Sequence, residues 1–226
     1  MNKIAVAIDG FSGCGKSSTA RELAKALNYL YIDSGAMYRG VTYLLTDAGI
    51  DPSDHAGVSQ VLDQLDLHFE TNEEGIAHLH NGNQDLEPFL RTMDVNNRVS
   101  EVSAIPEVRT RLVRQQQELG KAGGIVMDGR DIGTVVFPDA ELKLFLTADL
   151  NVRAERRKRE LEGKGINATL DEIIRNFNER DKLDSKREVS PLTKAKDAIE
   201  LDTSFLTFEE QINRVLTMAE EKIYGD

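Results

Sequence analysis

Apolar positions in this chain follow two rhythms: short, nearly unbroken runs, and stripes spaced three and four residues apart. Ile4–Ile8, Gly124–Met127 and Leu142–Leu146 are the runs, and they predict strands buried on both faces of a parallel sheet. Tyr29–Asp33 and Ala198–Asp202 read as two further short strands. Between them lie helical stripes: Ala20, Leu23, Ala24 and Leu27; Met37, Val41, Leu44 and Leu45 within Ala36–Asp47; and Leu170, Ile173, Ile174 and Phe177. A closing helix over Phe208–Lys222 turns Ile212, Val215 and Ala219 inward. Two more helices between Thr92 and Ala122 meet at Pro106, which suits a first helical position. Their stripes are Val95, Val99 and Val102, then Val108, Leu112 and Leu119. Ser100 and Arg109 fall off both stripes, so periodicity alone reads them as exposed polar positions. Strands alternating with helices predict an α/β fold with right-handed crossovers.

Residues 51–89 break this rhythm. After a polar helix near His55–Leu65, the segments Leu67–Glu70 and Ile76–Asn83 alternate around a turn at Thr71–Gly75. That pattern predicts an antiparallel hairpin or small three-stranded sheet inserted into the α/β core. His78 and His80 share one strand face, a conceivable metal pair. With no cysteine following and no spaced acidic ligands, they read as solvent-facing histidines.

Composition narrows the class. The chain has 226 residues, 30% charged and 40% hydrophobic, which suits one globular α/β domain with insertions. A formal net charge of -11 argues against a nucleic-acid partner held by a broad basic face. Any polyanionic ligand must be held by local arginines. No apolar run reaches the roughly 18 residues of a membrane helix, and Lys3 opens directly into a strand. The single cysteine excludes an internal disulfide framework. A cytoplasmic monomer with small-molecule partners is expected.

Candidate chemistry centres on Gly10-Phe11-Ser12-Gly13-Cys14-Gly15-Lys16-Ser17, which fits G-x-x-x-x-G-K-[ST] between a strand and a helix. Glycines let backbone N–H groups turn toward phosphate oxygens, and the helix start adds unpaired donors and a positive dipole end. Lys16 can reach the terminal phosphates, and Ser17 offers a hydroxyl to Mg²⁺. The Cys14 thiol is read in two ways, as an activated thiolate among these donors or as a small core residue. Asp33 stands at a strand's C-terminal end, and Arg39 lies one turn into the following helix. In Leu150–Arg159, Arg153 and Arg157 stand at i and i+4 with Arg156 adjoining, a three-guanidinium face suited to phosphate.

No Asn/Thr-Lys-x-Asp guanine motif is present, and a motor ATPase needs more chain. Arginines spread over separate segments fit transfer between two bound phosphates, where catalysis is positioning and charge stabilisation. A small-molecule kinase therefore uses every feature. A kinase for another acceptor, such as shikimate or a different nucleoside monophosphate, remains an alternative, as does an ATP-binding regulator without turnover.

Four blocks carry a closer resemblance. Ile8-Asp9-Gly10 entering the loop, Asp33–Arg39, Asp128–Ala140, and Glu179-Arg180-Asp181 with Asp184 and Arg187 resemble bacterial cytidylate kinases nearly end to end. The resemblance implies a P-loop kinase with five parallel core strands, an antiparallel β insertion in the monophosphate-binding region and an Arg-rich lid. It implies a single domain with core 1–34, 122–150 and 190–226, nucleotide-binding region 35–121 and lid near 151–189. ATP, Mg²⁺, and CMP or dCMP are its ligands. By this resemblance Gly10, Phe11, Ser12, Gly13, Cys14, Gly15, Lys16, Ser17, Ser18 and Arg156 hold ATP. Ser34, Arg39, Ser100, Arg109, Arg130, Asp131, Arg180, Asp184 and Arg187 hold CMP, with Ser100, Arg109 and Asp131 reading cytosine. Lys16, Arg130, Arg153 and Arg157 act on the transferring phosphoryl, and Ser17, with Asp33 as a further candidate, holds the metal. Phe11 and Cys14 replace the family's more usual Pro and Ala.

Overall fold

The computed structural model describes residues 3–71, 77–163 and 165–225. The chain divides into two compact units, residues 1–32 with 119–226, and residues 33–118.

The first unit is built on a five-stranded sheet ordered β2-β6-β1-β7-β8. Its strands are β1 (Ala5–Gly10), β2 (Leu30–Asp33), β6 (Ile125–Gly129), β7 (Leu142–Thr147) and β8 (Ile199–Asp202). β1 lies parallel between β6 and β7, with Asp9 opposite both Gly129 and Phe145. β1, β6 and β7 are buried almost throughout, as their apolar runs predict. Helices α1 (Lys16–Leu27) and α8 (Phe208–Tyr224) cover the sheet, with Ala20, Leu23, Ala24, Val215 and Ala219 in one core with Ile4, Val6 and Ile8. The basic helix α6 (Leu150–Gly163) pairs with α7 (Leu170–Lys186) over Ala154, Ile173 and Phe177. Capping boxes fix the starts of α7, through Thr169 and Glu172, and of α8, through Thr207 and Glu210.

The second unit holds α2 (Ser34–Asp47), α3 (His55–Asp63), β3 (Leu67–Thr71), β4 (Ala77–Asn81), β5 (Gln84–Asp85), α4 (Met93–Val102) and most of α5 (Pro106–Gly120). The three strands form a separate antiparallel sheet, so the insertion is the three-stranded variant. Much of the expected turn, residues 72–75, and Ile76 lie outside the described residues. Leu67, Leu79 and Leu86 pack toward Gly40 on α2, where a Cβ would stand 2.7 Å from the Leu79 side chain. His78 and His80 are half-buried rather than solvent-facing. Their rings meet carboxylates of neighbouring strands, His78 with Asp85 at 3.0 Å and His80 with Glu70 at 4.0 Å.

Candidate active site

Strand β1 ends in a loop shaped by its glycines. At Gly10, φ is +146°, and a Cβ there would stand 2.1 Å from the Leu146 carbonyl oxygen. At Gly13, φ is +75°, and a Cβ would meet the Phe177 ring at 2.6 Å. Gly15, with φ 89°, precedes α1, and no side chain caps that helix. The first-turn N–H groups thus have no side-chain cap at the positive end of the dipole, where an anion is favoured. Lys16 is buried, and its ammonium donates to the Phe11 carbonyl at 2.7 Å. Burial, and then the nearby Arg130 cation, push its pKa below the ordinary lysine value. Ser17 is half-buried and Ser18 exposed on the same turn. The Cys14 thiol is fully buried, donates to the Phe11 carbonyl at 3.0 Å and lies 3.9 Å from the Lys16 ammonium.

Arg130 leaves the end of β6 and is held at both sides of its guanidinium. Nε donates to Asp184 at 2.7 Å, and Nη2 donates to Ser12 Oγ of the loop at 2.9 Å. Burial opposes both charges of the pair. Asp184 nonetheless keeps Arg130 above its ordinary pKa, and Arg130 keeps Asp184 below the usual carboxylate range. Arg187 Nη2 and Nη1 lie 4.0 Å from Asp131 and Asp184 respectively, and the charge of Arg180 also favours ionised Asp184. Asp131 is 4% exposed. Its backbone carbonyl accepts from Val135 and Val136 to close a π-helical turn, Ile132–Val136, but its side chain does not cap that turn.

The three arginines of α6 do not share one destination. Arg153 is buried, donating through Nη1 to the Ser12 carbonyl at 2.8 Å and to Asp181 at 2.7 Å. Its guanidinium also lies 5.6 Å from the centres of the Phe11 and Phe177 rings. Arg156 clamps Thr203 after β8, at 3.1 Å to the hydroxyl and 2.6 Å to the carbonyl. Arg157 pairs with Glu160 near the surface. A single basic face, read from i, i+4 spacing, is therefore three separate contacts.

In the second unit, Asp33 caps α2 by accepting from the Ala36 N–H at 3.0 Å and pairs with Arg39 at 2.8 Å. Ser34 is buried at the start of that helix. Arg109 is 1% exposed, which overturns its reading from periodicity as an exposed position. It donates to the Ser103 carbonyl at 3.1 Å, and its guanidinium lies 5.4 Å from the Tyr38 ring centre. Ser100 is half-buried on α4.

A family profile described as cytidylate kinase matches residues 6–221. The chain is 48% identical over 224 residues to a cytidylate kinase of Cytophaga hutchinsonii, covering 99% of this chain and 96% of that one. It is 47% identical over 230 residues to that of Flavobacterium johnsoniae, with full coverage of both chains. The chain belongs to the cytidylate kinase family. Among solved structures, a Thermus thermophilus protein designated TT1252 superposes with a TM-score of 0.50 at 13% identity, covering all of both chains. That likeness concerns the fold alone.

Seen as a cytidylate kinase family member, the chain has side chains around the loop that motif reading passed over. Asp128, 3% exposed, accepts from the Ser17 hydroxyl at 2.8 Å and from the Tyr31 hydroxyl at 2.9 Å. Asp181 accepts from the Ser12 N–H at 3.0 Å as well as from Arg153. Both lie inside the blocks that carry the family resemblance, adjacent to residues already singled out. Their acidic character in an arginine-rich block was the available signal.

Proposed function

We propose that this phosphotransferase moves the γ-phosphoryl group of ATP to the phosphate of CMP or dCMP, giving ADP and the corresponding diphosphate. Action on CMP follows from membership of the cytidylate kinase family. The observation that supports the mechanism best is the anchoring of Arg130 between Ser12 of the loop and Asp184 of α7. A cation fixed to the donor-phosphate loop is where an acceptor phosphate must be neutralised for in-line transfer.

In this reading the loop N–H groups and Lys16 hold the β- and γ-phosphates. A bound polyphosphate also restores to Lys16 the stabilisation that burial removes. Arg130 and Arg39 take the acceptor phosphate, and Asp184, Arg180 and Arg187 its ribose side. Asp131, Arg109 and Ser100 read the base, and Ser34 completes the acceptor set. Arg156 and Arg157 belong to a lid near 151–189, whereas Arg153 fixes that lid to the loop through Ser12 and Asp181. Mg²⁺ fits the hard oxygen set of Ser17 with Asp128, and when bound it neutralises charge between the β- and γ-phosphates. Asp33 suits the metal less well, because its oxygens serve Ala36 and Arg39. A cytoplasmic monomer is part of the same reading. Among the described residues no helix is long and apolar enough to cross a membrane.

A coupled ADP-release assay across CMP, dCMP, UMP, AMP and shikimate tests this. CMP and dCMP are expected to stimulate turnover well above the others. Preference for AMP or shikimate would replace the acceptor assignment.

A further inference from the structure

Strand register brings a buried carboxylate under the turn that carries Arg130 and Asp131. Asp9 lies opposite Gly129 in the β1–β6 ladder. Beyond Gly129 the chain leaves the sheet, passes Arg130 and Asp131, and closes the π-helical turn Ile132–Val136. The two carboxylate oxygens of Asp9 accept from the Ile132 N–H and the Gly133 N–H, each at 2.8 Å. We propose that Asp9 is a positioning residue for acceptor recognition, aiming the Arg130–Asp131 turn and tying it to the start of the phosphate loop. This rests on the reading that Arg130 and Asp131 face the acceptor nucleotide.

The geometry sets out how it acts. Two bonds to consecutive N–H groups fix the rotation of the turn, which one bond would leave free. The residue just upstream is Asp131, whose carbonyl is taken by the Val135 and Val136 N–H groups. Its side-chain direction is therefore set by how the turn is seated. On the other side, Asp9 is covalently joined to Gly10, itself packed without a Cβ against the Leu146 carbonyl. One residue thus links the donor loop to the acceptor-reading turn.

Two further observations favour positioning over simple packing. Asp9 is 4% exposed, and no ion pair joins it among the described residues. The charged groups that face it are Asp131 and Lys16. Nearby Lys143 sends its ammonium to Asp197 and the Pro138 carbonyl. A buried carboxylate with no direct ion pair opposes folding, so a carboxylate placed there is explained by what it holds. What it holds is a π-type turn, a rare geometry that recurs at functional sites. At Gly133 a Cβ would stand 3.4 Å from the Asp9 carboxylate and 3.2 Å from the Lys143 side chain, so the close seating suits glycine.

Asp9→Asn tests the inference, because its amide nitrogen cannot accept and one turn N–H loses its partner. Initial rates with CMP, UMP and ATP would be compared for wild type, Asp9→Asn and Val215→Ala, a core-cavity control on α8. The expected result for Asp9→Asn is a loss of about 10–100-fold in kcat/KM for CMP and a smaller CMP/UMP ratio. Its KM for ATP should stay within about twofold of wild type, and Val215→Ala should leave the ratio unchanged. If CMP and UMP fall together with their ratio intact, or only the KM for ATP moves, Asp9 is structural and the proposal is overturned. Should Asp9→Asn not fold, Asp9→Ser, smaller and with one acceptor, is read in the same assays with the same expected fall in ratio. A wild-type enzyme inactive toward CMP would remove the acceptor reading itself, and this inference with it.

Discussion

The Ser17 hydroxyl donates to an Asp128 carboxylate oxygen at 2.8 Å, joining the first turn of α1 to the end of β6. The pair puts a carboxylate oxygen beside a loop hydroxyl suited to a magnesium ion. Asp128→Asn keeps the shape and removes the charge. The concentration of free Mg²⁺ needed for half-maximal rate should rise by roughly 10–100-fold, with KM for CMP little changed. An unaltered Mg²⁺ dependence would reduce Asp128 to a strut for Tyr31 and Ser17.

Lys16→Ala should abolish turnover without unfolding the protein. Removing one preorganised charge from developing phosphoryl charge typically lowers kcat by about 10²–10³. The variant also loses a buried cation whose pKa is already depressed, so its melting temperature should hold or rise. Circular dichroism and the coupled assay together check this. Near-normal turnover in a folded variant would exclude the loop as the donor site.

Arg153 and Arg157 should separate, although they stand one helical turn apart. Arg153→Ala strands Asp181 and the Ser12 carbonyl, and breaking such a buried pair costs about 3–5 kcal/mol. Arg157→Ala removes only a partly exposed pair with Glu160, worth roughly 0–1 kcal/mol. Thermal unfolding should therefore shift clearly for Arg153→Ala and barely for Arg157→Ala. Kinetically, Arg157→Ala should lower kcat more than it raises KM for CMP, since lid charge is needed mostly in the transition state. A pure KM effect would assign Arg157 to ground-state binding.

Burial raises the Asp9 pKa from 3.8 to about 6, and the sign of its effect on stability follows. Below pH 3.8 the group is protonated in both native and unfolded chains. As pH rises toward 6 the unfolded chain ionises while the native protein keeps its proton, so stability is lost. The loss is complete above 6 and amounts to about 3 kcal/mol. Asparagine carries no titrating group, so the stability of Asp9→Asn relative to wild type should move in the variant's favour by about that amount between pH 4 and pH 7, on top of a pH-independent cost for the lost turn bond. Denaturant unfolding at both values checks this, and a pH-independent difference would contradict the shift. A variant more stable yet less able to discriminate would show stability exchanged for function.

The parallel sheet and its crossovers were legible because β1, β6 and β7 are buried on both faces and read as apolar runs. The phosphate loop was legible because its spacing reports a backbone shape. Arg109 was not, since a helical stripe registers apolar burial and its guanidinium is buried against Tyr38 and the Ser103 carbonyl. The α6 arginines misled for a related reason. Spacing places their Cα atoms on one face, but long side chains choose partners in tertiary space, here Ser12, Thr203 and Glu160. Asp9 and Asp128 sit at strand ends where their register partners decide their role, and register is invisible in one sequence.

Asp131 should set the choice of cytosine over uracil. An ionised carboxylate only accepts hydrogen bonds, and cytosine offers its exocyclic amine where uracil presents a carbonyl. The turn that Asp131 precedes is closed by its backbone carbonyl and not by its carboxylate, so exchanging the carboxylate leaves that closure in place. At 4% exposure a mismatched oxygen facing the Asp131 carboxylate is costly, since a buried acceptor is left unpaired. This one contact should discriminate by roughly 1–3 kcal/mol, or about 5–150-fold. Asp131→Asn can turn its amide toward the uracil oxygen, so the CMP/UMP ratio of kcat/KM should shrink by about that factor. Arg187, 4.0 Å away, would lose part of its countercharge in the variant, which lowers activity toward both substrates without altering their ratio. The ratio is thus the quantity that isolates base reading. If it stays at the wild-type value while both rates fall, Asp131 serves Arg187 or the turn and the base is chosen elsewhere.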